Sequence, residues 1–122
     1  MKPLDFPSVE RARLSNGVEG VYARSTTVPI TRLTVEFDAG VAADPADKLG
    51  TQTLMLGLLK EGTTTRSAVQ IAEQEERLGA SISTGASMDR TLVNLTTPSA
   101  NLTPAVELAA DILRNPGFAS AD

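Results

Sequence analysis

Hydrophobic and polar residues alternate most clearly over 31–39, where Leu33, Val35, Phe37 and Ala39 fall on one side and Arg32, Thr34, Glu36 and Asp38 on the other. A two-residue period of this kind predicts a strand with one face against a core and one in water. Upstream, after a lead bearing Pro3 and Pro7, the segments 9–14 and 18–25 flank Ser15-Asn16-Gly17. Asn-Gly is the favoured pair for a two-residue hairpin turn, so these segments read as a hairpin. The stretch 40–48, with Gly40, Asp44, Pro45 and Asp47, reads as a loop.

At residue 50 the period lengthens. Thr51, Leu54, Met55, Leu58 and Leu59 share one side and predict a helix over 50–61, with Gly62 suited to cap its end. The next helix has a sharp start. Ser67 followed three residues later by Gln70 forms a capping box ahead of Ala68, Ile71, Ala72 and Leu78, and Gly79 stops it. Glu73 and Arg77 stand four apart in the favourable order. Segments 80–87 and 90–97 read as strands joined at Met88-Asp89. A third helix follows on Leu102, Ala105, Val106, Ala109, Ile112 and Leu113, ended by Asn115-Pro116-Gly117. The order β-β-β-α-α-β-β-α, with no internal repeat, predicts a single α+β domain: a mainly antiparallel sheet with helices on one face.

Composition narrows the chemistry. The 122 residues include 11 Lys and Arg, 15 Asp and Glu, and no His, Cys or Trp, for a net charge of -4. Disulfides are excluded, as are the common zinc ligands, the usual general base and the thiol nucleophile. An acidic chain with 3% aromatic residues is poorly suited to nucleic acid, which rewards clustered cations and stacking. No apolar run approaches the ~18 residues of a membrane span, and Met1-Lys2-Pro3-Leu4-Asp5 lacks the apolar core of a signal peptide. Neither nucleic acid nor membrane is expected as a partner, and the lack of Cys fits cytoplasm and periplasm equally.

Several phrases then fall together: Leu14-Ser15-Asn16-Gly17, Phe37-Asp38-Ala39-Gly40 with Ala43-Asp44, Glu61-Gly62-Thr63 with Thr65-Arg66-Ser67, Glu76-Arg77-Leu78-Gly79-Ala80-Ser81, and Leu113-Arg114-Asn115-Pro116. In this order and spacing they resemble the first part of a domain of the pitrilysin/insulinase zinc-peptidase family, which includes the mitochondrial processing peptidase and the respiratory-complex core proteins. The resemblance covers nearly the whole chain and implies that residues 1–122 are a piece of a longer domain. Active members carry an inverted zinc motif, His-x-x-Glu-His, on the helix before the Gly-Thr phrase. Those three positions correspond to Thr53, Leu56 and Gly57, so none of the motif is present. The family's remaining ligand, a Glu further along, would fall at or beyond Asp122.

The resemblance therefore implies a non-catalytic domain that pairs with a catalytic domain, in the same chain or another, to enclose peptides in a chamber. Zinc would belong to that catalytic partner, and this chain would hold no cofactor. The alternative is a structural or assembly subunit like the respiratory core proteins, without peptide handling.

On the predicted first helix Thr53, Leu56, Gly57 and Lys60 lie opposite the apolar stripe. Leu49 and Leu56 would then form a small exposed apolar strip, an interface that favours a homo-oligomer. Gly57 in mid-helix suggests close packing there. Glu75 falls on the inward stripe of the second helix, and we expect it at the rim with its carboxylate in water. The cluster Glu73, Glu75 and Glu76 reads as a solvated face. In active relatives the strand corresponding to 81–87 takes the substrate as an added strand, so Ser81, Ser83, Thr84, Gly85 and Ser87 are candidate contacts for unfolded peptide. An ordinary polar edge strand is the plainer reading.

Overall fold

A hairpin opens the chain, with β1 (Val9–Arg13) pairing antiparallel to β2 (Glu19–Ala23) around the Asn16-Gly17 turn. Gly17 takes a positive φ of 89° there, and the Asn16 side chain accepts from the Val18 amide at 3.1 Å. The computed structural model describes residues 7–118; the Pro3 lead and the region of Asp122 lie outside them. The chain continues through β3 (Ile30–Phe37), α1 (Thr51–Leu58), α2 (Ala68–Leu78), β4 (Ser81–Ala86), β5 (Thr91–Pro98) and α3 (Leu102–Arg114). The element order is the predicted one. Strands 3 to 5 make an antiparallel sheet ordered β3-β5-β4, while β1 and β2 form a sheet of their own.

The alternation in β5 sets the layers. Thr91, Val93, Leu95 and Thr97 are buried under the helices, and their cross-strand partners Phe37, Val35, Leu33 and Thr31 lie on the same face of β3. Ile82 of β4 joins them from the other side. From above, α1 contributes Leu56 and, at its C-terminal cap, Leu59; α2 contributes Ile71, and α3 contributes Ala105, Leu108, Ala109 and Ile112. This is one apolar cluster between a sheet face and three helices.

The helix ends follow the local chemistry. Ser67 Oγ accepts from the Gln70 amide and Gln70 Oε1 accepts from the Ser67 amide, a complete capping box. Gly79 closes α2 in the left-handed region at φ 60°. The N-terminus of α1 is served from a distance, since the Asp44 carboxylate accepts from the amides of Gly50 (2.8 Å) and Gln52 (3.0 Å). That places a negative charge where the helix dipole favours one. Gly40 is required by contact: a Cβ there would lie 2.5 Å from the Ser87 carbonyl oxygen at the β4–β5 turn. No helix among the described residues is long and apolar enough to cross a membrane.

Candidate functional site

The three positions that the resemblance assigns to a zinc motif lie on α1, but not on one face. Thr53 and Gly57 are exposed, whereas Leu56 is 8% exposed and belongs to the core. The inward side of α1 is Gln52, Met55, Leu56 and the following Leu59, with Leu54 and Leu58 turned toward solvent. This corrects the expected stripe by about 80° of helix rotation. The physical reason is the companion: α1 packs against β4, and Thr84 Oγ1 donates to the Leu56 carbonyl at 3.4 Å. Gln52 Nε2 also donates to Thr91 Oγ1 at 2.6 Å, tying the same side to β5. With Leu56 inside and Leu49 at 77% exposure, the expected Leu49–Leu56 interface strip does not form. Nor does close packing explain Gly57, because an added Cβ there meets open space.

One hydroxyl, one isobutyl group and one hydrogen at these positions do not fit a divalent metal, which needs several convergent nitrogen, sulfur or oxygen donors. Among the described residues, no three acidic side chains are gathered tightly enough to substitute for them.

The strand beside α1 carries the more informative geometry. Among the described residues β4 is an edge of its sheet, paired only with β5. The Ile82 amide donates to Glu75 Oε1 at 2.7 Å, and the Ile82 carbonyl accepts from Lys60 Nζ at 3.2 Å. Lys60 and Glu75 in turn pair at 2.6 Å. Glu75 is therefore not a rim residue: its side chain is 12% exposed, with a cation on one oxygen and a backbone amide on the other. Since backbone groups alternate in an antiparallel strand, Ile82, Thr84 and Ala86 aim theirs away from β5, while Ser81, Ser83 and Gly85 aim theirs toward it. The Ser87 amide, donating to Arg90 at 2.8 Å, keeps the same parity. Of the five residues proposed from sequence for peptide contact, Thr84 alone presents main-chain groups outward. Sequence reading missed the link from Lys60 and Glu75 to Ile82. Its signal was an acid on an apolar stripe, which calls for a cation within reach.

The remaining family-like phrases form a structural knot. Asp111 on α3 accepts from Thr63 Oγ1 (2.8 Å), Thr65 Oγ1 (3.3 Å), the Arg66 guanidinium and, on its other oxygen, Asn115 Nδ2 (2.9 Å). The Asn115 hydrogen bond, with those of Thr63 and Arg66 and the Arg66 charge, holds the Asp111 carboxyl below its ordinary 3.8 against burial, which raises it. The Thr64 amide donates to the Asn115 carbonyl at 2.9 Å. Thus the Gly-Thr loop and the Asn-Pro end of α3 are two halves of one clasp. Glu73 and Arg77, expected to pair, are not joined by an ion pair; Arg66 Nε instead donates to Gln74 of the same helix.

With these features in place, the comparisons with known proteins are direct. The family model for insulinase (peptidase family M16) matches residues 20–122, and the chain belongs to that family. Among solved structures it is similar to a peptidase M16 inactive domain from Pseudomonas fluorescens, at 27% identity and a TM-score of 0.85 over 93% of this chain and 28% of that one. A protease from Helicobacter pylori (21% identity, TM-score 0.81, 95% and 28% covered) and pitrilysin (21%, 0.78, 94% and 12%) share the fold. The chain thus spans little more than a quarter of the first two structures. No curated protein sequence matches it.

Proposed function

We propose that this chain serves as a non-catalytic domain of an insulinase-family peptidase, paired with a catalytic domain of that family in cis or in trans. The observation that supports this most is the content of α1: Thr53 and Gly57 offer no metal ligand, and the position of the general base is a leucine built into the core. A carboxylate could not replace Leu56 there without losing its water. The inactive domain from Pseudomonas fluorescens, similar over most of this chain, supports the same reading.

In the proposed arrangement zinc resides in the catalytic partner, which supplies metal-dependent proteolysis, and this domain forms part of the wall enclosing an unfolded peptide. In this reading the outward main-chain groups of Thr84 and Ala86 on the β4 edge would contact such a peptide as an added strand. The test is reconstitution: the chain mixed with, or fused to, a catalytic M16 domain that carries the zinc motif. Peptide hydrolysis that requires both parts, and survives Thr53→Ala and Gly57→Ala here, supports the role. Hydrolysis that either substitution abolishes would refute it.

A further inference from the structure

The sequence of β4, Ser81-Ile82-Ser83-Thr84-Gly85-Ala86, contains no charge and no proline. It nevertheless forms a sheet edge. A neutral edge of this kind is a template for pairing with a like strand, and proteins blunt such edges with charge or cover. Here the strand supplies neither, and both come from elsewhere. Lys60, just beyond α1, and Glu75, on α2, converge on Ile82 and satisfy both of its outward main-chain groups, the amide at 2.7 Å and the carbonyl at 3.2 Å.

We infer that the Lys60–Glu75 pair is a gate on the β4 edge: it occupies the Ile82 amide and carbonyl and thereby prevents a second copy of this chain from pairing β4 against β4. An incoming strand would have to exchange a neutral peptide group for a charged partner at each of these atoms. Bonds in which one partner is ionised are about twice as strong as neutral ones, so the exchange is unfavourable. The pair is also internally coupled, at 2.6 Å, so displacing one side chain strands the other. The Thr84 and Ala86 end of the same edge carries no such block, which makes Ile82 the stop. This inference rests on the β4 geometry alone and does not require the chamber role proposed above.

The test replaces the gate with apolar side chains of similar size, Lys60→Met with Glu75→Leu, so that neither charge is left without its partner. Amide exchange measured by NMR should show Ile82 in the unmodified chain about tenfold or more slower than Thr84 and Ala86, the protection expected for a bond to a charged acceptor. The double variant should lose that protection and self-associate about tenfold or more tightly in sedimentation equilibrium. Adding Thr84→Pro, which removes an outward N–H without touching the β5 ladder, should abolish the gain. Ile82 exchanging as fast as Thr84 in the unmodified chain would overturn the inference. So would a folded double variant that associates no more tightly, or one whose gain survives Thr84→Pro. If the double variant does not fold, the exchange rates in the unmodified chain decide.

Discussion

Leu33 and Leu95 stand directly opposite each other on neighbouring strands, on the same face of one sheet, yet Leu95 is 2% exposed and Leu33 is 38% exposed. The difference lies in what sits above them. Among the described residues α3 packs on β5 and α1 on β4, so the face of the sheet is well covered from β4 to β5 and only partly toward β3, where Val35 packs against the core but Leu33 does not. Phe37, on the same face, shares the fate of Leu33 at 43% exposure. Beyond them an open groove of about 870 Å³ runs between β3 and the separate β1–β2 hairpin. The two edges differ in the same sense: β4 has its outward groups at Ile82 occupied by Lys60 and Glu75, whereas β3 borders the groove. A period of two in the sequence tells which face of a strand is apolar, and the neighbouring elements decide whether that face is buried.

Truncating the two leucines in turn should separate the covered strand from the open one most strongly. Leu95→Ala should cost about 2–5 kcal/mol, the range for a buried leucine, and Leu33→Ala less than half as much. Denaturant midpoints for the two variants check it, and equal shifts would show that β3 is as well covered as β5. Leu56→Ala, which tests the corrected orientation of α1, should cost about 2–4 kcal/mol, against less than about 0.5 for Leu49→Ala seven residues earlier. Reversal of that order would restore the exposed strip expected from sequence.

A smaller loss, about 1 kcal/mol, is expected for Ser67→Ala, since the capping box is complete and each of its two bonds serves an otherwise unpaired amide. An unchanged midpoint would place the start of α2 elsewhere. Smaller still within the neutral range is the response to acid. The carboxyl of Asp111 is held below 3.8 first by Asn115 and then by Thr63 and Arg66. A lowered carboxyl contributes stability that is fully present above its ordinary value and is lost as pH falls through the lower folded value. The stability gap between the unmodified chain and Asp111→Asn should therefore be constant above about pH 5 and narrow below 3.8. A gap that widens on acidification would contradict the clasp.

Local chemistry was legible in the sequence wherever a residue type has one structural use. Asn16-Gly17, the Ser67–Gln70 box and Gly79 each appear where expected, because each is fixed by contacts within a few residues, whereas the buried side of α3 also takes in Leu108, which the expected stripe omitted. The orientation of α1 was not legible. Its run Leu54-Met55-Leu56-Gly57-Leu58-Leu59 is apolar on nearly every side, so the choice between two stripes falls to β4, which is more than twenty residues away. Glu75 was misplaced for a similar reason: its cation comes from another helix and its amide from the following strand. The independence of the hairpin from the main sheet was equally hidden, since pairing order is a property of the assembled layers.

The proposed non-catalytic role requires that this insulinase-family domain hold no catalytic metal, and metal content tests that most directly. The chain should be purified, exposed to one equivalent of zinc, dialysed, and analysed for metal, with peptide hydrolysis followed on the same sample. Far less than one zinc per chain and no hydrolysis above buffer are the expected results. One tightly held zinc per chain, whose removal abolishes a measurable peptidase activity, would contradict it.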